Sequence, residues 1–190
     1  MKYVIRRLHC TNYEDHLWRY LSKSECIKNP CAWSKSHQLI ADWLSTTEKS
    51  PKLFISGKPG TGKSVLTAHM VKITKEEVVG PRGVLLYYFC GADPAVDQYS
   101  SVRHEASSKA IVMTFLRQTL LAYHHITTGL GKVMDCVLGS GDGMLSELGL
   151  RRQVANLLKS FDTVRCVYCP PLLSALLTLA YFVSSLKDHH

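Results

Sequence analysis

The sequence predicts an α/β fold: a parallel sheet with flanking helices, incomplete at its C-terminal end. Two observations carry that prediction. The first is LFISGKPGTGKS, Leu53 to Ser64, where Gly57, Gly62, Lys63 and Ser64 complete the pattern G-x-x-x-x-G-K-[ST]. An apolar run precedes it and a helical pattern follows it, which is the strand, loop and helix context the motif requires. The second is VLLYYFC, Val84 to Cys90, a continuous apolar and aromatic run typical of a strand buried on both faces. The fold is expected to nucleate on a strand over 52–56 and a helix over 62–74.

Taken in order, the chain opens with a lead-in over 1–50. A short helix is expected from Tyr13 to Leu21, and Asn29-Pro30 breaks the chain, because the residue before a proline is driven out of the helical region. A second helix is expected from about Ser34. Trp33, His37, Ile40, Trp43 and Leu44 recur at spacings that share one face, which reads Trp33 and Trp43 as core or docking residues. STTEKSPK then links to the first strand. Beyond the loop helix, Gly80-Pro81 marks a turn before the second strand. A long amphipathic helix is expected from Ser101 or Glu105 to Tyr123, burying Val112, Phe115, Leu116, Thr119, Leu120 and Tyr123. Breaks follow at 127–132 and at GSGDG, 139–143. A helix over Met144 to Phe161 would turn Leu145, Leu148, Val154, Leu157, Leu158 and Phe161 inward. VRCVYC, 164–169, reads as a further strand. The segments are therefore a lead-in at 1–50, a partial domain at 51–165 and an apolar tail at 166–190.

The loop is where the chemistry concentrates. Its glycines let the backbone curl until its N–H groups converge on phosphate oxygens, and the helix that starts there adds unpaired N–H groups and its positive end. Gly57, Lys58, Pro59, Gly60, Thr61 and Gly62 would cradle phosphate, with Pro59 stiffening the turn. Lys63 would reach the β- and γ-phosphate oxygens, and the Ser64 hydroxyl would hold Mg²⁺.

No other constellation competes with it. Net charge is +8, from 23 basic and 15 acidic residues, but the basic residues are spread along the chain, which argues against a nucleic-acid footprint. The seven cysteines, at 10, 26, 31, 90, 136, 166 and 169, are expected to be free thiols in a reducing, cytoplasmic setting, since MKYVIRRLHC has no secretory apolar run. Cys166 and Cys169 form a lone C-x-x-C with no second pair to complete a zinc site, and Cys26, Cys31 and His37 read as filler. Asp93 and Asp97 follow the second strand at a spacing that suits turn caps better than metal ligands. His124 and His125 have no carboxylate placed to orient them, so no catalytic residue is assigned. LLSALLTLAYFVSSL, 172–186, carries no charge, and at fifteen residues falls short of the roughly twenty a spanning helix needs. Its readings are a packed helix, a membrane-associated tail, or apolar sequence separated from its partner.

CAWSKSHQLIADWL, LFISGKPGTGKSVLTAHMV, VLLYYFC and IVMTFLRQTL together resemble the fungal-type NACHT P-loop NTPases, including the N-terminal NTPase domain named after nephrocystin-3. The resemblance runs over roughly residues 10–125. It implies a P-loop NTPase sheet, ATP or GTP with Mg²⁺ as ligands, action as a molecular switch, and protein partners or self-association through the NACHT-like domain. Such relatives carry an aspartate-rich segment after the next strand, where the first aspartate supports Mg²⁺. This chain has VRCVYCPPLL there, with no acidic residue between Asp162 and Asp188. The expectation is therefore a domain that stops at or before that segment and binds nucleotide with weak or no hydrolysis. Two alternatives are a nucleotide-independent interaction module, acting through the Trp helix or the tail, and a small-molecule kinase, for which no substrate acids or arginines are identifiable.

Overall fold

The computed structural model describes residues 13–25, 31–47, 53, 55, 57–58, 60–89, 108–123 and 147–169. Two compact units divide them: Asn12–Phe89 with Asp162–Cys169 form one, and the helices described between Cys90 and Phe161 belong to the other.

The first unit is built on two strands, β1 (Gly83–Phe89) and β2 (Thr163–Cys169). They pair in parallel and in register from Gly83 opposite Thr163 to Phe89 opposite Cys169. Parallel pairing demands a long crossover, and 73 residues lie between the two strands in the sequence. Side chains alternate faces along each strand. Leu85, Tyr87 and Phe89 therefore share a face with Arg165 and Val167, while Val84, Leu86 and Tyr88 share the other with Val164 and Cys166. Val84, Leu86, Tyr87, Tyr88 and Phe89 are all buried. That is the outcome expected of a charge-free run closed to water on both sides.

Helix α1 (Tyr13–Glu25) lies along β1. Tyr13 meets Tyr87 edge-on with ring centroids 5.3 Å apart, and Tyr20 meets Phe89 at the same separation. The two tyrosines are seven residues apart, two helical turns, so one stripe of α1 contacts one face of the strand. Glu14 and Asp15 in its first turn and Lys23 in its last oppose the helix dipole.

The expected single Trp helix is instead two pieces, α2 (Trp33–Ser36) and α3 (Gln38–Ser45). His37 divides them with an extended backbone, φ −74° and ψ 118°, and its carbonyl accepts the Ile40 and Ala41 N–H groups that start α3. The break moves Trp33 off the face it was expected to share: Trp33 is 51% exposed, whereas Trp43 is 6% and Ile40 3%. His37 is also exposed. Arg165, 2% exposed in the middle of β2, reaches this segment: its guanidinium donates to the Thr46 carbonyl at 2.8 Å and lies 5.8 Å from the centre of the Trp43 ring.

Helix α4 (Lys63–Ile73) follows the glycine-rich loop and buries Leu66, Ala68, Met70, Val71 and Ile73. It contacts α1, β1 and β2. It does not end in an ordinary cap. A π turn, Thr74–Val78, extends it, with the Val79 N–H reaching back five residues to the Thr74 carbonyl at 3.0 Å. A turn closed by Gly83 N–H on Gly80 C=O, 2.9 Å, then feeds β1. The strand expected over 52–56 is not found at its described positions: Leu53 and Ile55 belong to no strand. A strand exists by its ladder, and the ladder described here joins β1 and β2 to each other.

In the second unit, α5 (Ser108–Tyr123) contacts α6 (Glu147–Leu158). Ile111, Val112, Phe115, Leu116 and Leu120 are buried on α5, and Leu150, Val154, Leu157 and Leu158 on α6. The burial on α5 is broader than a single stripe, because Thr114, Gln118 and Thr119 are inside as well. The two threonines satisfy their hydroxyls within the helix, on the Ala110 and Phe115 carbonyls at 2.9 and 2.7 Å. Leu148, expected inward, is 61% exposed, and Leu150 takes the buried place. The reason is phase: Leu150, Val154, Leu157 and Leu158 sit at i, i+4, i+7 and i+8, and Leu148 is two residues out of step. Phe161 is buried beyond the helix end, after a turn that bonds Ser160 and Phe161 N–H groups to the Leu157 and Leu158 carbonyls.

Candidate functional site

The motif glycines take the backbone that the sequence demanded of them. Gly60 has φ +80° and Gly62 φ +82°, the left-handed region where a Cβ is strained. Gly62 is also the residue from which α4 departs, and its carbonyl accepts the Leu66 N–H at 2.9 Å, the first bond of the helix. Gly57 is constrained by space: a Cβ there would stand 2.9 Å from the Thr61 hydroxyl oxygen. That hydroxyl is itself committed, donating to the Lys58 carbonyl at 2.8 Å, and the Thr61 N–H closes on the same oxygen at 3.4 Å. The loop is thus a narrow curl, exposed at Gly57, Lys58, Gly60, Thr61 and Gly62. Pro59 lies outside the described residues.

Lys63 closes the curl. Its ammonium donates to the carbonyls of Gly57 and Lys58, 2.7 Å each. A lysine at the first position of a helix would ordinarily extend into water; this one folds back over its own loop. Two consequences follow for chemistry. The cation is held at the loop, beside the N-terminus of α4, where the first N–H groups have no intrahelical acceptor. It is also held by neutral carbonyl groups, which a phosphate oxygen would outbid through a charge-assisted hydrogen bond. Ser64, half-buried, follows it on the first turn. A phosphate group therefore fits the residues present: a cradle closed to any Cβ at Gly57, two left-handed glycines, a fixed ammonium and a helix N-terminus.

The position of a metal-supporting acid is different. β2 ends in Cys169, and Asp162 stands at the opposite end, before the first residue of the strand. There it pairs with Arg82 at 3.3 Å, and its N–H donates to the Arg82 carbonyl at 3.0 Å. Seven residues of strand rise put that carboxylate about 20 Å from the carboxyl end of β2. Among the described residues no group of three or more His, Cys, Asp or Glu is arranged to hold a metal ion. Asp93, Asp97, Asp135, His124, His125 and the tail beyond Cys169 lie outside the described residues. Cys31 and Cys166 are free thiols, and burial raises both, Cys166 to about 12. That keeps them protonated and unreactive at neutral pH. Among the described residues no helix is long and apolar enough to cross a membrane.

Three features escaped the sequence reading. Arg165 was visible as the one charge in an apolar strand, which signals a buried contact, but nothing in the sequence names Thr46 as its acceptor. The return of Lys63 to its own loop and the π turn after α4 have no sequence signature.

Neither the curated proteins nor the solved structures include a match to the chain. The family model described as Nephrocystin 3, N-terminal, does match, over residues 29–169. That span takes in the split Trp helix, the glycine-rich loop with α4, and both strands of the sheet. With well over half of its length matched, the chain belongs to the nephrocystin 3 N-terminal family.

Proposed function

We propose that this chain binds a purine nucleoside triphosphate, ATP or GTP, with Mg²⁺, in a NACHT-like switch module of the P-loop NTPase type. The observation that carries the reading is the Lys63 ammonium held 2.7 Å from the Gly57 and Lys58 carbonyls, inside a loop whose Gly60 and Gly62 are left-handed. On binding, the β- and γ-phosphate oxygens replace those carbonyls as acceptors. The backbone of Gly57, Lys58, Pro59, Gly60, Thr61 and Gly62 surrounds the phosphates, and the start of α4 contributes its N–H groups. Mg²⁺ would neutralise phosphate charge, with the Ser64 hydroxyl as its one protein ligand named here.

Equilibrium titration with labelled nucleotide tests this. Lys63→Ala is expected to weaken binding at least tenfold, about 1.4 kcal/mol, because a point charge is lost beside several phosphate oxygens. Equal affinity in parent and variant would remove the assignment. A second reading has its own support: Trp18 is 65% exposed and Trp33 51%, and large exposed aromatics suit a protein-interaction surface. A nucleotide-independent interaction module would show no saturable nucleotide binding in the same titration.

A further inference from the structure

Thr61 stands at a position where the pattern G-x-x-x-x-G-K-[ST] accepts any residue, yet the contacts of the loop converge on it. Its hydroxyl donates to the Lys58 carbonyl at 2.8 Å, and its N–H closes on the same oxygen at 3.4 Å. Its side chain also fills the space beside Gly57, where a Cβ would meet Thr61 Oγ1 at 2.9 Å and Thr61 Cβ at 3.8 Å. The Lys58 carbonyl is in turn the acceptor that Thr61 shares with Lys63, whose ammonium lies 2.7 Å from it. A carbonyl oxygen has two lone pairs. The hydroxyl and the ammonium take the two short contacts, and the Thr61 N–H stands off at the longer distance.

We propose that Thr61 is the positioning residue of the loop: its hydroxyl holds the Lys58 carbonyl in place when the Lys63 ammonium turns to a phosphate oxygen. The proposal rests on the phosphate reading of the loop given above and is indifferent to the base. The reason lies in the donors. As the loop stands, the Lys58 carbonyl has two short donors, so the hydroxyl is one tie of two, and its loss leaves the ammonium in place. A phosphate oxygen draws the ammonium away, because a charge-assisted bond to an anion is stronger than one to a neutral carbonyl. Of these contacts the hydroxyl is then the one short donor left, and it keeps the curl from Lys58 to Thr61 closed around the phosphate. A backbone already held in its bound shape loses less freedom on binding. The hydroxyl therefore matters more to the phosphate-bound loop than to the free one. That difference is what lets a side chain act on affinity rather than on stability alone.

Titration of the full chain with inorganic tripolyphosphate and Mg²⁺ tests it, beside thermal melting of the chain without ligand. Thr61→Val keeps the branched shape and removes the hydroxyl. Its binding is expected to weaken about fivefold, the size of one net hydrogen bond. Its melting midpoint without ligand should stay within about 2 °C of the parent's, because the loop is exposed. Thr61→Ser keeps the hydroxyl and drops the methyl, and should bind within about twofold of the parent. Equal or tighter binding by Thr61→Val overturns the proposal. So does an equal loss in both variants, which would assign the effect to shape. A Thr61→Val midpoint lowered beyond that margin would make Thr61 a structural residue, and overturns the proposal too. Tripolyphosphate bound by the parent, with neither ATP nor GTP bound, removes the purine reading and leaves Thr61 to be decided by the same titrations. Absence of tripolyphosphate binding to the parent overturns the phosphate site, and Thr61 with it.

Discussion

His69 shows how one residue reports its surroundings. It lies half-buried on α4, and its pKa falls below the ordinary 6.5, first because burial disfavours the imidazolium, then because Lys35 and Lys72 repel it; Glu76 and Glu77 oppose them. The folded chain therefore holds the neutral ring more strongly than the unfolded chain does. Its contribution to stability is present above pH 6.5 and is lost as pH falls through the lowered folded value, since the unfolded state then binds the extra proton. Denaturant melts between pH 7.5 and 5.5 should show stability declining, and His69→Gln should flatten that decline; an equal slope in parent and variant would remove His69 as its source. At this scale the loop was legible beforehand. Gly62 was named from the pattern and has the left-handed backbone that suits glycine, and Gly60, at a variable position between the pattern's two glycines, shares it. Trp33 was not legible, because its exposure depends on a break at His37 that no propensity marks.

Between elements, Arg165 is the tie that deserves a measurement. A buried guanidinium is costly, and replacing a buried charge by an apolar side chain can be neutral or stabilising. Here the hydrogen bond to the Thr46 carbonyl, 2.8 Å, and the Trp43 ring beneath the cation weigh the other way. Arg165→Met removes the charged donor from the Thr46 carbonyl, a hydrogen bond whose loss costs about 1–3 kcal/mol. The expected outcome is a melting midpoint lower by roughly 2–10 °C for a chain of this size, with Trp43 fluorescence shifted as its ring loosens. A variant as stable as the parent would mean that packing alone holds α3 to β2. The strands themselves were readable, because the charge-free aromatic run at 84–90 and the aromatic and β-branched run at 164–169, charged only at Arg165, have few other destinations. Their pairing was not, since nothing in either run specifies that Gly83 stands opposite Thr163.

For the molecule as a whole, the expected outcome is nucleotide binding without useful turnover. Phosphoryl transfer to water needs the metal fixed, the water oriented and the developing charge stabilised. The carboxyl end of β2 supplies Cys169, while Asp162 sits at the strand's other end, occupied by Arg82. A phosphate-release assay with Lys63→Ala as contamination control should give parent and variant alike near background. Sustained release at about one per minute or faster, a rate within reach of slow catalysts, and lost in the variant, would place an acid beyond those described here. What the sequence determined by itself was local: the two strands of the sheet, most of the helices, where the backbone must turn left-handed, and which ammonium belongs to the loop. Those follow from steric limits and hydrophobic period, which act over a few residues. Only the tertiary structure decided that β1 pairs with β2, that Arg165 reaches Thr46 across 119 positions of sequence, and that α4 runs on into a π turn whose Glu77 pairs with Lys35. Those are set by which surfaces meet, and a linear pattern does not encode the partner on the other side.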